Sequence, residues 1–381
     1  MLTDVERTLM RLNPFTPVFG NEPPVIGGRD TYINDVLKGL DNAPGDPNRI
    51  TIFTGPRGSG KTVLLAAIAD QARARGWISV HTPANDGMLV ELIEQIERNA
   101  AEHLPKKSGI RLTGIQVSGL GFTRTVSAKK PGTWRSQMDR FLDLMAEKQI
   151  GLLFTIDEAT ARVPELISFI STFQVFVMEK RNVALLMAGL PGNVIQMISD
   201  DNISFLRRAF RRELKPVSMP DVRAIMKKTI ALSGRKIEDS ALEYAAQKTE
   251  GLPFLIQLIG YHLFNQSELK IIPRKDAIAG VEAAREDMRN MILDATLSDL
   301  SKTDVDFLRA MLHDEGSSRI SAIAKRMGIS ASQASHYKRR LVIQGVIAEC
   351  GRGLVEFAMP MLKNLLRETV LTNVPGNQSS R

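Results

Sequence analysis

Cysteine is almost missing from this chain: Cys350 is the only one in 381 residues. A lone thiol closes no intramolecular disulfide and builds no cysteine metal cluster, which excludes a disulfide scaffold. The residue itself is expected to be a small, buried apolar side chain. The five histidines show no ligand spacing, and no Gly-x-Ser-x-Gly elbow stands at the end of a strand, so zinc hydrolysis and Ser-His-Asp hydrolysis have no signature here. No run approaches the ~20 apolar residues that a membrane-spanning helix needs. The segment from Met1 to Arg11 carries Asp4 and Glu6 without an apolar core, which makes it a poor secretory signal. The expected compartment is the cytoplasm, with no membrane partner. What the chain does have is 43% hydrophobic content, enough for sizeable cores, and 50 Lys and Arg against 42 Asp and Glu. The net charge of +8 favours polyanionic partners such as nucleotides or nucleic acid.

Residues 13 to 46 are rich in Pro, Gly and Asn, with one helix expected from Asp30 to Leu40. Short apolar runs at Ile50 to Phe53, Ile78 to His81, Gly151 to Ile156 and Val183 to Ala188 read as buried strands. Helical patterns alternate with them at Thr62 to Arg73, Gly87 to His103 and Trp134 to Lys148. That alternation predicts βαβ units and a parallel α/β sheet. Between Lys106 and Pro131 the composition shifts to Gly, Ser, Thr and Lys, as in a β-hairpin or a mobile insertion. From Asp221 to Leu297 four helices are expected, at 221–233, 239–249, 253–268 and 275–297, with no strand among them. Thr372 to Arg381 reads as a solvated tail.

The first chemical signature is Gly55-Pro56-Arg57-Gly58-Ser59-Gly60-Lys61-Thr62, a Walker A pattern placed after an apolar strand and before a helix. Glycines let backbone N–H groups turn inward around phosphate oxygens, and the helix N-terminus adds its positive dipole end. Lys61 is expected to reach the β- and γ-phosphates of ATP, and the Thr62 hydroxyl to ligate Mg²⁺. The second signature is the strand ending in Asp157-Glu158. Two carboxylates at the end of a buried strand are costly unless they meet a cation. Asp157 is assigned to the metal, and Glu158 to polarising the attacking water as a general base.

Near the C-terminus, Ile320, Ile323, Ala324 and Met327 give one apolar helix face, Gly328-Ile329-Ser330 breaks it, and a second helix runs from about Ser332 to Gln344. This is a helix-turn-helix pattern. Ser332, Gln333, Ser335, His336, Lys338, Arg339 and Arg340 occupy its polar positions and suit base edges and phosphates, with Leu341 and Val342 as anchors. Val346 to Ala348 and Leu354 to Phe357 flank Cys350-Gly351-Arg352-Gly353, a two-stranded wing whose tip offers Arg352. The module resembles a winged helix, a fold that binds duplex DNA and also docks proteins.

Together these motifs resemble the AAA+ and STAND branch of P-loop ATPases, from about Asn13 into the C-terminal region. Pro14-Phe15-Thr16-Pro17 through Gly27-Gly28-Arg29-Asp30 is similar to the motif that packs near adenine in this branch, which implicates Val25, Ile26 and Arg29. Gly251-Leu252-Pro253 resembles the Gly-x-Pro motif of the STAND helical lid, which places Pro253 over the nucleotide. The segment from Ser204 to Arg212 is similar in placement to the one that carries arginine fingers in oligomeric relatives. Arg207 and Arg208 are the candidates, and a solvated or DNA-facing helix edge is the competing reading. Two departures stand out. The strand ending in Gly189-Leu190-Pro191 presents no polar sensor, and no arginine follows Pro253 as a second one.

The resemblance implies a P-loop parallel-sheet core at residues 49–216 behind an N-terminal segment at 1–48. A helical lid at 217–296, a winged helix at 297–371 and a tail at 372–381 complete the chain. The expected function is an ATPase whose nucleotide state controls homo-oligomerisation or engagement of duplex DNA. The alternative is a nucleotide-gated regulator, or a switch that docks a protein partner, with little or no turnover.

Overall fold

In a computed structural model, the described residues are 12–18, 20–100, 133–297, 300–358, 362–364 and 366–367. The expected insertion between Lys106 and Pro131 and the tail from Thr372 lie outside them. Five strands form one parallel sheet: β1 Ile50–Thr54, β2 Ile78–Pro83, β3 Leu152–Asp157, β4 Val183–Gly189 and β5 Phe210–Glu213. Their order is β2-β3-β4-β1-β5. β3 and β4 are buried along their whole length, which explains why they read as unbroken apolar runs. Successive residues serve opposite faces, so that Ile52, Phe154 and Leu185 enter one core while Phe53, Leu153 and Leu186 enter the other.

Helices cover both faces. α1 Asp30–Asp41 and α2 Lys61–Ala74 pack on one side. On the other lie α3 Met88–Ala100, α4 Trp134–Glu147, α5 Pro164–Met178 and α6 Pro191–Ile198. There Phe154, Phe169 and Phe173 meet at ring-centroid distances of 5.1 to 6.0 Å, each pair contributing ~0.5–1.5 kcal/mol beyond its buried area.

The helical region contains α7 Met219–Ala231, α8 Asp239–Lys248, α9 Pro253–Gln266 and α10 Arg274–Leu297. It is not free of strands, contrary to expectation. The two-residue strands β6 Lys236–Ile237 and β7 Ile271–Ile272 pair in parallel, a ladder too short to leave an apolar run. α7 starts where the Ser218 hydroxyl accepts from the Asp221 N–H, with Pro220 in the first turn. Phe15, from the N-terminal segment, is buried in this region's core.

The C-terminal module comprises α11 Lys302–Met311, β8 Ser318–Arg319, α12 Ile320–Met327, α13 Ala331–Ile343, β9 Ile347–Gly351 and β10 Leu354–Phe357. Its antiparallel sheet runs β8-β10-β9, and with the three helices this is a winged-helix arrangement. Gly328, at φ 65°, ends α12 in the left-handed conformation, and a capping box of Ser330 and Gln333 opens α13 two residues later. Cys350 is exposed on the wing rather than buried, because it lies near the end of β9, whose last three residues are all exposed.

Candidate nucleotide site and winged-helix face

The loop from Gly55 to Gly60 leaves the carboxyl end of β1, and β3 brings Asp157 to the same edge with β4 between them. Strand order reverses here, the place where open α/β sheets hold ligands. Gly58 and Gly60 adopt φ of +76° and +84°, which frees the loop to turn its amides inward. A Cβ at Gly58 would stand 3.2 Å from the Phe254 side chain, so lid and loop are in contact. Phe254 N–H also donates to the Gly58 carbonyl at 3.2 Å, and Pro253 lies beside Gly60.

Within the loop, Lys61 Nζ donates to the carbonyls of Gly55 and Pro56 at 3.0 and 2.8 Å. Burial lowers its pKa to about 8; Asp157 opposes this shift, Arg57 adds to it, and Glu158 opposes it. An ammonium held by two neutral carbonyls in a half-buried loop is well matched to an incoming polyanion. The Thr62 hydroxyl donates to Asp157 Oδ2, while Asp157 Oδ1 accepts the Glu158 N–H at 2.8 Å. Hydroxyl and carboxylate are thus already side by side, as a shared cation would require. Among the described residues no group of three or more His, Cys, Asp or Glu is placed to hold a metal ion by itself, so a divalent ion here would also need ligand or water oxygens.

Glu158 has φ of 52°, a left-handed conformation uncommon outside glycine, and its side chain is exposed beyond the strand end. Ser59 is buried with an unpartnered Oγ. These features fit a phosphate-bearing nucleotide: the cradle is glycine-shaped, a cation stands in it, and a buried hydroxyl waits for a partner.

Arg29 is buried, and its Nη2 donates to the Ser59 carbonyl at 3.2 Å. Burial lowers its pKa, and its guanidinium lies 6.0 Å from the Tyr32 ring centroid. Its hydrogen bond is therefore to the loop backbone, whereas Val25 and Ile26 line an open cleft beside the loop. That cleft has a cavity volume of about 170 Å³, and Pro253, Phe254 and Gln257 wall it from the lid side. Phe254 and Gln257 were not among the residues singled out from the sequence. An apolar helix start gave no sign that its first turn would face a ligand.

The sequence-predicted arginines lie apart. Arg207 and Arg208 end a 3₁₀ segment, Asp201–Arg208, that precedes β5. Both are exposed; Arg207 pairs with Asp201 at 2.8 Å and donates to the Ile198 carbonyl at 3.1 Å. On α13, Ser332, Gln333, Ser335, His336 and Arg339 are exposed, as is Arg352 on the wing. Lys338 instead pairs with Glu349 at 2.9 Å, and Arg340 Nε donates to the buried Asp304 at 3.0 Å. Val342 touches Gly192 of α6, which packs α13 against the ATPase core.

This sheet order, cradle and acidic strand end define a P-loop ATPase core, and residues 45–198 match the family model of the AAA domain. The chain therefore carries an AAA-type ATPase domain. Residues 290–366 match a domain of unknown function (DUF8462). Among solved structures the chain is similar to the Walker-type ATPase of Pyrococcus abyssi, with a TM-score of 0.67 and 17% identity over 94% of this chain and 99% of that one. It is also similar to the ORC2 protein of Aeropyrum pernix, solved as ADPNP–ADP complexes, with a TM-score of 0.57 and 12% identity over 96% and 98%. No curated protein sequence matches. No helix among the described residues is long and apolar enough to cross a membrane.

Proposed function

We propose that this chain binds ATP with Mg²⁺, hydrolyses it, and uses its nucleotide state to control assembly or engagement of duplex DNA through the winged helix. The observation that carries this reading is the Thr62 hydroxyl bonded to Asp157 at the mouth of the glycine cradle, with Glu158 one residue on. Bound Mg²⁺ would neutralise charge on the β- and γ-phosphate oxygens. Thr62 and Asp157 would hold it. Lys61 would exchange its two carbonyls for phosphate oxygens, and Glu158, facing solvent, would take a proton from the attacking water. Arg207 or Arg208 from a neighbouring copy would offset charge on the γ-phosphate.

The path from nucleotide to DNA is short. Ala159, next to Glu158, donates its N–H to Ala188 of β4 at 2.8 Å. β4 leads into α6, where a Cβ at Gly192 would lie 2.9 Å from the Val342 carbonyl of α13. Leu190 likewise packs on Gly345, just past the end of α13. A shift at the Asp157-Glu158 end of β3 would be transmitted to the helix expected to read DNA.

A second reading, a nucleotide-gated regulator or protein-docking switch with little turnover, draws on two features. Gly189 ends β4 where a Cβ would lie 2.8 Å from the Ala159 carbonyl, which leaves no room for a polar sensor. Phe254 occupies the position after Pro253 where a second sensing cation would be sought. Phosphate release from Mg·ATP, with and without duplex DNA, tests both readings in the wild type and in Glu158→Gln. Release that rises with DNA and falls by about 10²- to 10⁴-fold in the variant supports the ATPase. Negligible release alongside retained ATP binding supports the regulator.

A further inference from the structure

Arg57 is the one charged side chain between Gly55 and Gly60. Lys61 Nζ rests on the Pro56 carbonyl at 2.8 Å, and that carbonyl belongs to the same planar peptide as the Arg57 N–H. The arginine therefore leaves the backbone beside the ammonium expected to reach the β- and γ-phosphates. On its other flank the backbone is pinned, because Gly58 stands at φ +76° and its carbonyl accepts the Phe254 N–H of the lid at 3.2 Å. Arg57 itself is exposed, and among the described residues its guanidinium has no hydrogen bond and no ion pair. Arg29, on the cleft side of the loop, differs: Nη2 is committed to the Ser59 carbonyl, and its unpartnered Nε is buried.

The electrostatics give the free cation a task. The charges that act on Lys61 are those of Asp157, Arg57 and Glu158. Without Arg57, one ammonium would face two carboxylates, and the mouth of a phosphate cradle would carry net negative charge. A divalent ion held by Asp157 would answer that carboxylate and leave Glu158 beside the outermost phosphate. The two places where a further polar group is sought offer none. A Cβ at Gly189 would lie 2.8 Å from the Ala159 carbonyl, and Phe254 follows Pro253.

We propose that Arg57 closes onto the γ-phosphate of the nucleotide bound in its own protomer and so lets the phosphate loop tell ATP from ADP, an inference that rests on the nucleotide reading above. The guanidinium offers a fork of N–H donors, which matches two non-bridging oxygens of a terminal phosphate. ADP ends one phosphate short, so with ADP bound Arg57 stays in solvent. The contact is made within one chain, which separates Arg57 from Arg207 and Arg208, candidates that act only between copies.

The test is calorimetric titration of the full chain with Mg·ADP and with Mg·ADPNP, a non-hydrolysable ATP analogue, on the wild type, Arg57→Ala and Arg57→Lys. Because Arg57 is exposed, Arg57→Ala should fold with an unchanged melting temperature in the absence of nucleotide. It should lower the affinity for Mg·ADPNP about tenfold and leave that for Mg·ADP within about twofold. Arg57→Lys keeps the charge without the fork and should restore part of the loss. Equal losses for both nucleotides, or no loss for either, overturn the inference. An equimolar mixture of Arg57→Ala and Lys61→Ala should show no site of wild-type affinity for Mg·ADPNP. Its appearance would mean that Arg57 serves a neighbour's nucleotide, which also overturns the inference. No binding of either nucleotide by the wild type would overturn the nucleotide reading itself, and this inference with it.

Discussion

The nucleotide cleft and the outer face of α13 are both polar, yet they are organised in opposite ways. In the cleft, functional side chains are held before any ligand arrives: Lys61 by two carbonyls, Thr62 by Asp157, Arg29 by the Ser59 carbonyl. On α13, Ser332, Ser335, His336 and Arg339 face solvent, while Lys338 and Arg340 of the same helix are tied to Glu349 and Asp304. A preorganised site loses little freedom on binding and owes its selectivity to fixed geometry. An exposed basic face draws on released counterions and is correspondingly sensitive to salt. Single substitutions should therefore act sharply in the first region and gradually in the second, except where a polar residue of α13 supports the fold.

The largest expected effect lies in the cleft. Lys61→Ala removes the cation from the cradle and should weaken ATP binding by on the order of 10²-fold, with little loss of thermal stability in nucleotide-free protein. Calorimetric titration with Mg·ATP checks it, and near-normal affinity in the variant would show that the cradle does not hold phosphate.

Next comes a pair of neighbours on α13 that look alike in sequence. Arg340 supports Asp304, which is 1% exposed and forms the capping box of α11 with Ser301. Arg340→Ala leaves that carboxylate with fewer partners and should cost about 1–3 kcal/mol, less than a fully buried pair because the arginine itself is partly solvated. Arg339→Ala should change stability by no more than about 0.5 kcal/mol, yet lower DNA affinity across sequences and reduce the salt slope by about 1. Chemical denaturation and salt-dependent gel shifts on both variants separate the two roles. If Arg340→Ala is as stable as Arg339→Ala, the fold-supporting role is wrong.

What could be read from the sequence follows the same division. The residues from Gly55 to Thr62 and the pair Asp157-Glu158 were legible because phosphate and cation chemistry dictates residue types at fixed spacing. β3 and β4 were legible because central parallel strands are apolar throughout. By contrast, α5 was missed: Leu166, Phe169, Ile170, Phe173 and Phe176 are buried among further apolar residues, so little polar contrast marks a helical period. β5 was missed for the opposite reason. Phe210-Arg211-Arg212-Glu213 is mostly exposed, and it is a strand only because β1 pairs with it. Arg212 shows how such chemistry misleads, since its guanidinium is spent on Asp35 at 3.0 Å and on Asn48 at 2.9 Å. The split between Arg339 and Arg340 was invisible for a similar reason, because Asp304 lies 36 residues from Arg340 in the chain. Gln257 and Thr16 meet across a separation of 241 residues, beyond the reach of any local pattern.

A smaller, pH-dependent effect sharpens the account of the cleft. With the Lys61 pKa lowered to about 8, nucleotide-free protein loses that charge as pH rises through 8, whereas a bound polyanion would hold the proton. Binding should therefore take up protons above pH 8, and ATP affinity should fall about tenfold between pH 7 and pH 9. Titrations in buffers of different ionisation enthalpy measure that uptake directly. No uptake near pH 9 would mean that Lys61 stays charged without nucleotide.

The smallest effect, and the one that joins the two regions, lies at the seam between α6 and α13. Gly192 meets the Val342 backbone so closely that even a methyl group would stand 2.9 Å from its carbonyl oxygen, and backbone yields less readily than a side-chain end. Gly192→Ala should therefore separate the helices slightly while leaving the cradle and the exposed face of α13 as they are. ATP binding and DNA binding, each measured alone, should stay within about twofold of wild type. The ratio of DNA affinities in ATP and ADP should move several-fold toward one, a loss of part of the 1–3 kcal/mol typical of coupled sites. An unchanged ratio would place the coupling elsewhere, and the lid contact from Phe254 to Gly58 is the next seam to cut, since there the lid bears directly on the phosphate loop.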